Sequence, residues 1–337
     1  MSYIGVDLHT NSLTACYRTK QGKERIRTFA ISHIADFVKT LRKKDKVAVE
    51  ATGNTKFFVE QIGNRVKKVI VVDPNQFEVI RRSVRKTDKH DARALALYLS
   101  KDMLPEARMK TRKNAQLHSL AGTRDKLVKQ RTALINKIHN VLNSYGIKFK
   151  KESLCAEKGL KSALAFDWDT IVRIELEVLV EQIRSLNKSI KKLDEQMIEQ
   201  GKKLKGHKNL ASIKGIGDRS ATVLLSVIGE VKDFANEDKL AAYFGIVPRV
   251  SDSNETIKHG RITKRGSKIG RTTLVQCTLV ATRYSPYLRK YYDRIKKHRG
   301  SGKAIIATAR KLLGIIYNTL KNDWVFEDFP NFVLADS

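Results

Sequence analysis

The chain has 337 residues, 41% of them hydrophobic, and carries 66 Lys and Arg against 35 Asp and Glu for a net charge of +31. That length allows two or three domains with real cores, and such a charge predicts a polyanionic partner, nucleic acid first and an acidic membrane surface second. A spanning helix of ~18 apolar residues, a signal peptide and a disulfide or zinc framework are all unexpected, because no run is long enough, MSYIGVDLHT enters a strand directly, and Cys16, Cys155 and Cys277 lie far apart, as suits a reducing cytoplasm.

In chain order, YIGVD (3–7) is a short apolar run. LTACYR (13–18) and ERIRTFA (24–30) alternate as strands do, with Gln21-Gly22 as the turn between them. A helix is expected from Ile34 to Lys43, a strand at KVAVE (46–50), a helix in GNTKFFVEQIGNRV and a strand at KKVIVV (67–72) stopped by Asp73-Pro74. DKHDARALALYL, from Asp88 to Leu99, has helical periodicity. Three meandering strands followed by parallel crossovers predict a ribonuclease H-like (RuvC-like) α/β domain over 1–105. A doubly wound nucleotide fold would place a helix after its first strand, and neither GxGxxG nor GxxxxGK[ST] occurs.

Residues 106–205 change character. Leu120, Leu127, Leu134 and Val141 recur every seven residues, and Leu179, Ile183, Leu186, Ile190, Leu193 and Met197 form an a/d seam. Two long helices are expected, with an irregular stretch near 145–168, paired either within the chain or between chains. Residues 206–330 form a third, mainly helical region opening on LASIKGIGDRSATVLLSVIG. No acidic residue occurs from Thr256 to Tyr292, a window holding Lys258, Arg261, Lys264, Arg265, Lys268 and Arg271 beside Gly260, Gly266 and Gly270. A helix is expected from Lys303 to Lys321.

Four carboxylates carry the chemistry. Asp7 ends the first strand, Glu50 ends the fourth, and Asp88 and Asp91 open a helix, three apart and so on one face. The last two lie in RRSVRKTDKHDAR, a strongly basic run. Each has an ordinary reading: a strand-end residue, a rim carboxylate, an N-cap for which Thr87 competes with Asp88. Gathered in one cleft they would repel each other, and divalent cations relieve that cost. Mg²⁺ takes oxygen ligands and keeps positions for a substrate phosphate, and paired ions can clamp both oxygens of a phosphodiester. In SIKGIGDRSA, Gly215 and Gly217 resemble a helix-hairpin-helix turn whose backbone N–H groups could meet a phosphate; a tight turn inside a helical bundle is the alternative.

YIGVD, VEATG and KTDKHDARALA together resemble the DEDD domain of Piv-like insertion-sequence transposases, also called bridge-RNA recombinases (insertion-sequence family one-ten). LAAYFGIVPRVSDS and the basic segment after it resemble the C-terminal transposase domain of the same family, so the likeness spans about 3 to 320. The resemblance implies a metal-dependent recombinase that cuts and rejoins DNA, with Asp7, Glu50, Asp88 and Asp91 holding Mg²⁺ (or Mn²⁺). It implies a nucleophilic serine five residues after the proline of the GIVPR stretch, which is Ser253. Asn254 stands where the family has Gly, so Ser251 remains a competitor. The resemblance further implies donor and target DNA and a guide (bridge) RNA as partners, a homo-oligomer (dimer or tetramer), and a serine domain that docks on the carboxylates of the same or another subunit. Arg249 and the basic window, Lys258 to Arg271, are the expected nucleic-acid contacts. Two rivals stand beside this reading: a RuvC-like nuclease that uses activated water, and a nucleic-acid-binding protein on a decayed nuclease fold.

Overall fold

A computed structural model describes residues 1–74, 76–77, 87–150, 152–253 and 256–326, and for residues 250–253 and 256–259 the backbone alone. The chain forms two compact units, Met1–Met109 and Lys110–Ser337.

The first unit is built on a five-stranded sheet of order β3-β2-β1-β4-β5. The strands are β1 (Ser2–Leu8), β2 (Ser12–Thr19), β3 (Glu24–Ala30), β4 (Lys46–Glu50) and β5 (Lys68–Val72). β1, β2 and β3 pair antiparallel as a meander, whereas β1, β4 and β5 run parallel. Parallel neighbours need crossovers, and α1 (Ile34–Lys39) and α2 (Thr55–Ile62) supply them. The strand alternation sorts side chains to two faces. Ile4, Val6, Leu13, Val47, Val49 and Val71 pack with Phe37, Phe58 and Ile62 of the two crossover helices. Ala48, Ile70 and Val72 face the other way, toward Leu95 and Leu99 of α3 (Asp88–Ser100).

That helix lies hard against the sheet. A β-carbon at Gly5 would stand 2.2 Å from the Ala92 carbonyl oxygen, closer than any side chain tolerates, so glycine is required where β1 passes beneath the helix.

The second unit begins with an antiparallel pair of long helices, α4 (Arg112–Ser144) and α6 (Thr170–Lys202). Arg124 binds Asp194 at 2.6 Å, Arg131 binds Asn187 at 2.8 Å and Lys137 binds Glu175 at 2.8 Å, partners whose numbers fall on one helix as they rise on the other. The seam therefore closes within the chain. The evenly spaced Leu120, Leu127 and Leu134 are half-buried, while Leu117, Ala121, Ile135, Ile138 and Leu142 are buried. At the far end, α5 (Glu157–Leu164) and Trp168, whose indole N–H donates to the Ala163 carbonyl at 2.9 Å, complete a separate small core.

Next come α7 (His207–Ser212), α8 (Asp218–Ile228), α9 (Glu237–Phe244), α10 (Lys268–Tyr284) and α11 (Pro286–Lys321), packed around Leu224, Phe244, Leu274 and Leu313. Residues 248–262, expected as loop and basic turns, form a hairpin of β6 (Pro248–Ser253) and β7 (Thr256–Ile262), paired with Ser253 opposite Thr256. Among the described residues no helix is long and apolar enough to cross a membrane.

Candidate active site

Strand direction places the first two carboxylates. β1 and β4 are parallel, with Val6 opposite Val49, so Asp7 and Glu50 stand side by side one residue further along. Val6 and Val49 face the crossover helices, and the period of two turns Asp7 and Glu50 to the other face, the one α3 covers. Both sit at the carboxyl ends of parallel strands, the edge where open α/β sheets bind ligands.

α3 places the other two. Thr87 is its N-cap, accepting a hydrogen bond from the backbone N–H of His90 at 3.2 Å. Asp88 is thereby released from capping and becomes the first helical residue, with Asp91 a turn further on. Because Ala92 is pinned over Gly5, this first turn lies over the end of β1, two residues on at Asp7.

The loops after the strands hold the rim. The Thr55 hydroxyl donates to the Glu50 carbonyl at 2.8 Å, and the Thr52 N–H donates to the Thr55 hydroxyl at 2.7 Å, which gives the residues of VEATG and its continuation a local purpose. The Asn54 amide donates to the His9 carbonyl at 3.1 Å and ties the loop after β4 to the loop after β1.

His9, two residues past Asp7, sits among the carboxylates. Its Nε2 is 3.2 Å from the Asp7 carboxylate and 3.4 Å from that of Asp88. Ligand atoms of Asp7, His9 and Asp88 all lie within 4.8 Å of one another, a set that could hold a metal ion. Electrostatics agree with that crowding. Burial pushes the Asp7 carboxyl above its ordinary value, His9 opposes, and the charges of Asp88 and Asp91 add to the rise. For His9 burial alone would lower the imidazole, yet Asp7 and Asp88 hold it above its ordinary value. The structure thus brings Asp7, Asp88 and Asp91 into one field, with Glu50 level with Asp7 on the adjacent strand. His9 was absent from the expected set, although its spacing of two from a strand-end carboxylate was the available signal.

In the second unit the expected contacts divide. Ser251 and Ser253 lie on β6 and Lys258 on β7, and their side chains, like residues 81–86 of the basic run, are outside the described residues. Arg249, Arg261, Lys264, Arg265 and Lys268 are exposed. Arg271 is half-buried, and its guanidinium donates to the carbonyls of Phe244 at 3.2 Å, Gly266 at 3.1 Å and Arg265 at 3.3 Å, fastening the turn before α10. Gly215 and Gly217 also differ. A β-carbon at Gly215 would stand 2.7 Å from the Ala281 nitrogen, so that glycine serves packing against α10, while Gly217 is open and precedes the free N–H groups of α8.

Residues 4–147 match a family model of DEDD-type transposases of the IS110 group, and residues 207–293 match the model described as transposase, IS116/IS110/IS902 family. The chain is 26% identical to the transposase for insertion sequence element IS1111A of Coxiella burnetii, over 94% of this chain and 89% of that protein. It is 26% identical to the transposase for IS1328 of Yersinia enterocolitica and 28% identical to the pilin gene-inverting protein of Moraxella lacunata, in each case over 97% of this chain and 98% of the relative.

Proposed function

The chain belongs to the IS116/IS110/IS902 family of transposases, and from that premise we propose that it is a metal-dependent, RNA-guided DNA recombinase with a serine nucleophile. The observation that carries the metal-dependent part is the convergence of Asp7, His9 and Asp88 at the carboxyl edge of the sheet, in the field of Asp91. The sheet order, an antiparallel meander joined to parallel crossovers, supports a ribonuclease H-like domain.

Asp7, Glu50, Asp88 and Asp91 would hold Mg²⁺ through oxygen, and His9 adds a nitrogen donor that suits Mn²⁺ better. A bound divalent ion would supply Lewis-acid stabilisation of the charge that builds on a phosphodiester in the transition state. The protein's own residues do the rest. The exposed cations of the second unit hold the phosphate backbone, and base pairing with the RNA selects the sequence. The Ser253 oxygen attacks phosphorus as the bond to one strand end breaks. The proton it gives up is balanced by one taken up by the departing strand oxygen, which leaves as a hydroxyl, and the serine–phosphate bond keeps the energy needed for rejoining.

The RNA-guided part has a direct test. RNA extracted from the purified protein and sequenced should be one defined species encoded beside the gene, containing segments complementary to both DNA partners. Random cellular RNA would remove guidance from the reading while leaving the transposase.

Cation contacts to the backbone release counter-ions, so affinity should fall with salt by about −0.9 in log–log slope per duplex phosphate contacted. Lys264→Ala combined with Arg265→Ala should flatten that slope by about two contacts. An unchanged slope in the folded double variant would show that these side chains face only solvent.

A further inference from the structure

Helix α11 is interrupted at Gly300, whose φ of 76° is left-handed and where an added β-carbon would meet nothing within 4 Å. Glycine is needed there for the backbone turn alone. A straight helix would hold residues 291 and 311 about 30 Å apart. Instead the Lys311 ammonium sits 5.8 Å from the centre of the Tyr291 ring, over which the Arg294 guanidinium also lies at 5.4 Å. The two limbs of α11 therefore fold toward each other and enclose a groove of about 1,940 Å³.

Seven Lys and Arg line this groove against two carboxylates, Glu237 and Asp238. Asp238 is paired with Arg310 at 2.6 Å, and Glu237 accepts from Asn318 at 3.5 Å. The other six cations are Arg261, Lys264, Arg294, Arg299, Lys303 and Lys311, none of which forms an ion pair among the described residues. Between them stand Tyr287, Tyr291 and Trp324, the last 56% exposed, and the remaining lining is largely aliphatic.

We propose that this groove binds a single-stranded segment of nucleic acid, its phosphates on the cations and its bases stacked on Tyr287, Tyr291 and Trp324. The assignment rests on the recombinase reading above and adds to it a site that lies mostly beyond residue 293, where the family match ends. Cations alone would fit any polyanion, but aromatic faces interleaved with cations are what unpaired bases use, and a paired duplex does not offer its base faces. The volume exceeds the 300–1,000 Å³ typical of small-molecule sites. Both sources of such a strand, the guide RNA and DNA opened by it, share this chemistry.

Tryptophan fluorescence of the full-length protein gives the test. Trp168 is 7% exposed and Trp324 is 56% exposed, so quenching by an added oligonucleotide reports the groove. Oligouridine or oligothymidine of about twelve nucleotides, within the ~4–16 nucleotides that one single-strand site takes, should quench the wild type, and Trp324→Phe should remove the quench. Tyr291→Leu should weaken binding about tenfold while Tyr291→Phe, which keeps the stacking face, binds within about twofold of wild type. Arg294→Ala with Lys311→Ala, two exposed positions, covers the case in which Tyr291→Leu misfolds, and should weaken binding by a similar factor. A response to the RNA arm only assigns the groove to the guide, a response to the DNA arm only assigns it to an opened strand, and either supports the site. Wild-type affinity in both Tyr291→Leu and the double variant, or equal competition by polyglutamate, overturns the groove even if the protein still binds duplex DNA. A wild type that binds no nucleic acid of any kind overturns the recombinase reading itself.

Discussion

Asp7→Asn is expected to lower strand cleavage by roughly a thousandfold, about 4 kcal/mol of lost transition-state stabilisation, while leaving affinity for RNA and DNA nearly unchanged. The substitution keeps the size of the side chain and removes its charge from the cluster, where His9 meets the Asp7 carboxylate and reaches Asp88 as well. Asp88→Asn and Asp91→Asn should behave alike, because each deletes one charge from the same field, and Glu50→Gln should follow them if the residue beside Asp7 on the adjacent strand shares the metal. Binding survives because exposed cations elsewhere carry it. Mg²⁺ or Mn²⁺ should support the wild type, and a chelator should abolish its activity. The pH profile has a definite sign. Both Asp7 and His9 hold their protons to higher pH than the free side chains do. A cation entering the cluster must displace those protons, so the metal concentration needed for half-maximal cleavage should fall as pH rises through their titration. Undiminished cleavage in excess chelator would refute metal dependence whatever the variants showed.

Ser253→Ala is expected to form no covalent adduct with DNA and to give no recombinant product, yet to bind RNA and DNA as the wild type does. One hydroxyl is a small part of a contact made by many cations. Ser251→Ala, two residues earlier on the same strand, should keep its activity. Denaturing electrophoresis of end-labelled DNA with each variant separates the possibilities. An adduct that survives in Ser253→Ala and disappears in Ser251→Ala moves the nucleophile to Ser251. Cleavage without any adduct, in the wild type as well, favours a nuclease that activates water.

The first unit was the most legible part of the sequence. KVAVE spans the whole of β4, and the meander of three strands appears with the expected turn at Gln21-Gly22. Strong alternation with both faces buried leaves little freedom of register there. The capping of α3, open between Thr87 and Asp88 in the sequence, is settled by the Thr87 hydroxyl. His9 was harder to see, because a lone histidine in a polar loop has no periodicity to mark it. The hairpin at 248–262 was read as loop because it opens on proline and runs through Ser-Asp-Ser. In a two-stranded ribbon the main-chain pairing of β6 with β7 defines the structure, and no apolar alternation is required. The heptads announced two long helices but could not say whether their partner was internal, and the ion pairs between α4 and α6 answer that. Nor could the sequence show that α11 doubles back, since a fold of the chain at one glycine leaves helical periodicity intact on both sides.

What the pair α4 and α6 fixes is a distance. Each helix has 33 residues and so runs about 50 Å, roughly fifteen base pairs of duplex at ~3.4 Å each. Its near end packs on α8, where Met197 meets Val223 and Asp194 meets Arg219 at 3.4 Å, and its far end carries the small core around Trp168. The two ends are separately stabilised, so the span between them is a gauge whose length can change without unmaking either. Deleting one matched heptad from both helices would draw the far end in by about 10.5 Å, close to three base pairs.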